Sequence, residues 1–345
     1  MEAQRYSTLD GVRGVAALAI VLLHLERPSF HMPVATYTAV DLFFLMSGFV
    51  IAAAYDHRIR RDGVQDFVRA RLIRLYPTYL AGLMVLPALF VLLFLKNGEW
   101  LARPADILRS LAAALVFLPS HVPPSVLWET KALFPLNVPA WSLMLELVVN
   151  LAYALFLPWL SRPVLVVIVL VSGAALVASG LRLDGIDLGW GWSTLWGGFA
   201  RASFSFFLGV LIHRTKLPRP NLPPWLVLGA VILMFWAPPL LAVIVGYPLI
   251  LLAATRPGGR PSRVMAAMGA LSYPLYAIHY PLLHWTGRLL ANRLPAWASI
   301  PTSVALLLLG AFLVLKLWDE PVRRWLTQRK PFSPCGRRWP PKEVG

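Results

Sequence analysis

Asp10-Gly-Val-Arg13-Gly-Val-Ala-Ala-Leu-Ala-Ile-Val-Leu-Leu-His24 is an apolar stretch with a guanidinium near one end and an imidazole at the other. An ionisable side chain in such a segment costs several kcal/mol unless it has a partner or a task. Eleven residues of α-helix turn through about 1100°, only ~20° from a whole number of turns, so Arg13 and His24 share one helix face, roughly 16 Å apart along the axis. Snorkelling of the two side chains to opposite headgroup layers explains the pair as well as a chemical role does. Basic residues precede the stretch, as in a signal peptide, but it carries Arg13 and His24 and ends without a small-x-small cleavage site. The expectation is a retained first transmembrane helix.

The rest of the chain suits the same solvent. Of 345 residues, 58% are hydrophobic and only 14% charged, with a mean hydropathy of +0.65. A water-soluble domain of that composition would expose far too much apolar surface, which leaves a polytopic membrane protein embedded in a lipid bilayer. A net charge of +16 would fit a nucleic-acid partner if one basic domain carried it. The arginines instead fall in short clusters between apolar runs, the pattern of cytoplasmic loops, so no nucleic acid is expected. Cys335 is the sole cysteine, which excludes an internal disulfide and argues against a thiolate metal site; no metal is expected.

About ten segments are long and apolar enough for a ~30 Å hydrocarbon core. They lie at residues 11–27, 39–56, 77–95, 140–158, 163–181, 194–213, 223–237, 239–255, 266–287 and 297–318. The expected fold is therefore all-α, with about ten transmembrane helices. The basic loops 58–74, 214–219 and 256–263, the turn at Arg162 and the stretch 323–338 then all face the cytoplasm, together with both termini. Residues 106–118 look helical but are too short to span, and counting them would invert every later loop. A re-entrant or surface helix on the outer side is expected there, followed by an irregular Pro-rich loop over 119–139. Residues 1–321 make one membrane domain, and 322–345 a basic, Pro-containing, loose cytoplasmic tail.

Polar groups interrupt several of these segments. Val40-Asp41-Leu-Phe-Phe-Leu-Met-Ser47-Gly48-Phe49 sets an acid at the outer start of the second segment and a small Ser-Gly step within it, which on its plainest reading is a packing notch. Arg71 and Arg74, three apart on one helix face, suit an anionic ligand with planar donors, or simply anchor a cytoplasmic loop. The fourth segment opens Trp141-Ser142-Leu-Met-Leu-Glu146, with Asn150 and Tyr153 on the stripe of Glu146, and a carboxylate inside a membrane helix seldom serves packing. In the ninth, Tyr276 and His279 share a face, where a hydrogen-bonded core histidine is the bland alternative. Glu320-Pro321 closes the tenth at the inner face, next to arginines it can pair with. No Gly-rich phosphate loop, His-Glu-x-x-His zinc site or Gly-x-Ser-x-Gly elbow occurs in the sequence.

Taken in order, these segments resemble the acyltransferase-3 family of integral membrane acyltransferases. The resemblance rests on Leu9-Asp-Gly-Val-Arg13 with His24, Asp41-Leu-Phe-Phe with Ser47-Gly48-Phe49, Arg71-x-x-Arg74-x-x-Pro77, Trp141-Ser-Leu-x-x-Glu146, Ser272-Tyr-x-x-Tyr276-x-x-His279-x-Pro281 and Glu320-Pro321. It covers residues 9–321. The sequence departs from the pattern at Ala39-Val40, where Gly-Val is common, and at Val149-Asn150, which replaces a frequent Phe-Tyr.

The resemblance implies an enzyme of the bacterial inner membrane that takes an acyl group, usually acetyl, from cytoplasmic acyl-CoA. It would deliver that group to a hydroxyl of a cell-envelope carbohydrate or lipid-linked sugar, with acyl-CoA as cosubstrate and no permanently bound cofactor. It also implies His24 and Arg13 as the catalytic pair and Arg71 and Arg74 as the residues that bind the acyl donor. Acyl transfer to a hydroxyl needs a base and donors for an oxyanion, and His24 is the best base in the chain. Glu146 is expected to assist it, with Asp41, Ser47, Gly48, Phe49, Trp141, Ser142, Tyr276, His279 and Glu320 supporting substrate or structure. A secondary transporter or flippase, with the same ionisable groups carrying protons, is the alternative, although no internal repeat favours it.

Overall fold

Among the described residues, six helices are long and apolar enough to cross a membrane by length and composition: Ser7–His24, Val34–Asp62, Val64–Asn97, Arg162–Arg182, Trp192–Arg214 and Trp297–Gln328. A computed structural model describes residues 6–25, 30–98, 100, 102–122, 131–215, 217–256, 262–290 and 294–328. Among these the protein is helical and without strands; an isolated bridge pairs Ala132 with Gly191. The helices are numbered α1 (Ser7–His24), α2 (Ala39–Asp62), α3 (Val64–Asn97), α4 (Pro104–Leu115), α5 (Ala140–Phe156), α6 (Arg162–Arg182) and α7 (Leu195–Arg214). They continue as α8 (Pro224–Met234), α9 (Pro239–Ala254), α10 (Arg263–Leu290) and α11 (Trp297–Gln328). Each apolar run read from the sequence coincides with one of them, and α4 occupies the short segment expected near 106–118.

Packing brings distant segments side by side. α1 lies along α10, α2 and α6 both lie along α7, and α10 also packs on α3. The α2–α7 contact needs glycine: a Cβ at Gly48 would strike the Phe206 carbonyl, and one at Gly209 would strike that of Leu45. Removing both side chains lets the two backbones touch, as small residues do between membrane helices. α1 and α10 begin together, with the Ser262 amide donating to Ser7 Oγ (3.1 Å). This side of the bundle is the Ser7 end, and His24 marks the opposite one.

Two stretches differ from the sequence reading. Residues 58–74 are helix rather than loop, because arginine is a good helix former and hydropathy registers only its charge. α2 runs on to Asp62 and α3 starts at Val64, with the whole corner made by Gly63 at φ +87°, a conformation glycine adopts without a Cβ clash. Pro77, read as near the start of a span, therefore sits inside α3, where the Trp318 indole donates to its carbonyl (2.7 Å).

The second difference is the end of the last helix. Glu320-Pro321 does not close it; a π turn over Val314–Asp319 shifts the hydrogen-bond ladder just before Pro321, and α11 continues to Gln328. Pairs four residues apart hold the added turns, Lys316 with Glu320 (2.6 Å) and Arg323 with Asp319 (2.7 Å). The remainder of the expected tail, 329–345 with Cys335, lies outside the described residues, as do 123–130 of the expected outer loop.

α4 doubles back beside α3. The chain leaves α3 at Asn97, yet the carbonyls at the end of α4 accept hydrogen bonds from residues far back along that helix. Tyr79 donates to Ala114 (2.7 Å) and Tyr76 to Leu115 (3.0 Å). Phe117 then stacks on Tyr79 with ring centroids 4.1 Å apart.

Candidate functional site

Two cavities meet inside the bundle. The first, about 170 Å³, is lined by Arg13 of α1, Ser47 of α2, Arg71 and Arg74 of α3, Ser142 and Glu146 of α5, and Tyr273 and Tyr276 of α10. Apolar side chains such as Phe43, Phe44, Met46 and Leu143 fill the gaps between these polar groups. The second, about 220 Å³, lies toward the His24 end and is lined by His24, Tyr37, Trp141, Asp187, Trp190 and Tyr280. Val40 and Tyr276 line both and form the partition. Arg13 and His24 thus do face one way along α1, one into each cavity.

Three arginines and one carboxylate line the first cavity. Arg71 Nη2 meets Glu146 Oε1 at 2.6 Å, and Ser47 Oγ donates to the same oxygen at 2.8 Å. Glu146 is thereby committed to fixing Arg71, whose Nε is buried without a hydrogen-bond partner. Arg74 rests over the Tyr273 ring (5.8 Å), and the Tyr273 hydroxyl donates to the Leu75 carbonyl (2.6 Å). An excess of guanidinium groups in an apolar, partly enclosed space is a site for an anion.

A carbonyl oxygen only accepts, so the contact between His24 Nδ1 and the Ile20 carbonyl (2.9 Å) puts the proton on Nδ1 and leaves the Nε2 lone pair basic. His279 repeats the pattern, with Nδ1 donating to the Tyr276 carbonyl (2.7 Å) and Nε2 buried without a partner. The two rings meet edge to face at 5.0 Å, and Tyr280 contacts His24 at 5.3 Å. Tyr276 is pinned by its hydroxyl, which lies 2.7 Å from Ser142 Oγ and 3.3 Å from the Pro139 carbonyl.

Other residues singled out in the sequence stand apart from the cavities. Asp41 is buried in an ion pair with Arg201 of α7. Gly48 forms the α2–α7 contact, and Phe49 packs beneath Tyr6 and His213. Tyr153 donates to Asp56, which also pairs with Arg214 (3.2 Å). Glu320 lies at the Ser7 end in a wide bowl that shares Arg74 with the first cavity.

Sequence reasoning missed Arg201. Its guanidinium bonds Asp41 through Nε (3.2 Å) and Nη2 (2.6 Å) and donates from Nη1 to the Leu188 carbonyl (2.7 Å). Asp187 lies 3.7 Å away, and the Trp141 and Tyr37 rings cover the group at 5.5 and 5.6 Å. It holds the 183–191 segment, and with it Asp187 and Trp190, against the wall of the second cavity. The available signal was a lone arginine in the middle of the apolar run Gly197-Gly-Phe-Ala-Arg201-Ala-Ser-Phe.

Comparison with known proteins bears on this geometry. A family model for acyltransferase-3, described as an acyltransferase domain, matches residues 6–316. Acyltransferase MdmB of Streptomyces mycarofaciens is 24% identical over 95% of this chain and 94% of its own length. Protein 2 in picA locus of Rhizobium radiobacter is 41% identical over 160 residues, 44% of this chain and 82% of that protein. No solved structure matches significantly.

Proposed function

The chain belongs to the acyltransferase-3 family and is an integral membrane acyltransferase, and from that premise we propose that it moves an acetyl group from cytoplasmic acetyl-CoA to a hydroxyl of a cell-envelope carbohydrate or lipid-linked sugar. The observation that carries this reading is the pair of adjoining cavities, three arginines lining one and His24 the other, with Val40 and Tyr276 lining both. Ten helices span a bacterial inner membrane, all but the re-entrant α4, and both termini are cytoplasmic. The arginines at the Ser7 end, among them Arg58, Arg214 and Arg323, support that orientation.

Arg71 and Arg74 bind the pyrophosphate of CoA, and the pantetheine arm passes Arg13 toward the second cavity. His24 Nε2 takes the proton of the acceptor hydroxyl as its oxygen attacks the thioester carbonyl carbon. The tetrahedral oxyanion collapses, the carbon–sulfur bond breaks, and the proton on His24 passes to the leaving thiolate, giving CoA and an ester. Glu146 acts in this scheme through Arg71, which it holds in place. The aromatic wall of Trp141, Trp190 and Tyr280 suits the apolar face of a sugar ring.

Mass spectrometry of envelope glycans and lipids from cells with and without the gene tests the reaction. One acetyl of mass on a carbohydrate species is expected only with the gene, and its absence from a His24→Ala strain with normal membrane insertion. No acylated product, with solute flux across vesicles instead, would replace the reading with transport.

A further inference from the structure

Apart from Arg74, which also lines the first cavity, the bowl at the Ser7 end takes no part in the scheme above. It measures about 580 Å³ and is walled by Arg69 and Arg74 of α3 and by Arg323 and Arg324 of α11. Two carboxylates, Asp66 and Glu320, also line it, so cations are in excess. Glu320 is further neutralised from outside the bowl by Lys316 at 2.6 Å, while its contact with Arg324 is longer, 3.5 Å. Arg323 is held by buried Asp319, itself bonded by Thr78 Oγ1 (2.7 Å), and its Nε is buried without a partner. Arg323 and Arg324 both lie on the part of α11 that continues beyond Pro321, and they line the bowl together with Arg69.

Resting on the acyl-CoA reading, we propose that this bowl binds the 3′-phosphate of the donor nucleotide, with Arg69, Arg323 and Arg324 as its ligands. The covalent order of acyl-CoA supports the assignment. The thioester must lie nearest His24, the pantetheine arm follows through the first cavity, and the pyrophosphate comes next, beside Arg71 and Arg74. The ribose with its phosphate monoester is what remains, and Arg74 is the residue shared by the first cavity and the bowl. A phosphate monoester is the most strongly hydrated group of the donor, and the bowl is the most open of the three spaces. Arginine forks are matched to such a group.

Anionic lipid headgroups offer phosphate too, so the test separates the two sources. Binding of CoA and of 3′-dephospho-CoA to the purified full-length protein in neutral detergent is compared by calorimetry. The wild type is expected to prefer CoA by more than about tenfold, as charge-assisted hydrogen bonds to a phosphate imply. The double variant Arg69→Gln, Arg324→Gln is expected to lose that preference while binding dephospho-CoA as the wild type does, which also reports intact folding. Equal affinity for both ligands in the wild type, or a preference that survives the double substitution, overturns the proposal. So does loss of the preference in nanodiscs containing phosphatidylglycerol, since the arginines would then be headgroup ligands. Failure of the wild type to bind CoA in any form would instead overturn the acyl-CoA reading itself.

Discussion

Two arginine–carboxylate pairs hang on α2 and its neighbours, at the same 2.6 Å separation, and they do opposite things. Arg201 with Asp41 is 0% and 1% exposed, and every donor of the guanidinium faces a carboxylate, a carbonyl or an aromatic ring. Arg71 with Glu146 is 14% and 18% exposed, leaves one Nε unpaired, and shares its cavity with Arg13 and Arg74. A saturated ion pair out of reach of any ligand holds helices together. An unsaturated one in an apolar cavity is ready for an anion. Burial alone would have ranked Arg201 as the more conspicuous residue; hydrogen-bond saturation is what distinguishes the two pairs.

Removing one partner from each pair should separate these roles. Arg201→Met leaves Asp41 charged and buried without a counterion, and is expected to destabilise the protein by about 3–5 kcal/mol, read as a lower thermal midpoint in detergent. A variant as stable as the wild type would mean that the pair is dispensable to the fold. Gly48→Ala tests the α2–α7 contact that carries the Asp41–Arg201 pair, since the new Cβ meets the Phe206 carbonyl. The expected loss is about 1–3 kcal/mol by overpacking, and an unchanged midpoint would show that α2 and α7 can part freely. Arg71→Gln should raise the KM for acetyl-CoA by roughly tenfold, about 1.4 kcal/mol, with the thermal midpoint nearly unmoved. The smallest effect belongs to Glu320→Gln, whose pairs with Lys316 and Arg324 are exposed: less than ~0.5 kcal/mol in stability.

What the sequence reveals about this molecule follows the range over which each signal acts. Helical period and hydropathy are local, so the apolar runs and the shared face of Arg13 and His24 are legible within a dozen residues. Charge misled the same reading at 58–74 and beyond Glu320, where arginine-rich segments are helices supported by neighbours in space. Pairings across the fold left no local trace. Arg71 and Glu146 are 75 positions apart and Asp41 and Arg201 are 160 apart, so only packing reveals them. His279 was visible as a titratable group on a helix face, yet its contact with His24 depends on α1 lying along α10.

The passage of an acyl group from the arginine-lined cavity to the His24 cavity is tested most directly by sidedness. Sealed membrane vesicles of defined orientation are given acetyl-CoA labelled in the acetyl group, and labelled acceptor is measured over time. Transfer is expected only when the donor is supplied on the face that carries Arg323, and only with His24 intact. Equal transfer from either face, or undiminished transfer by the His24→Ala protein, would contradict it.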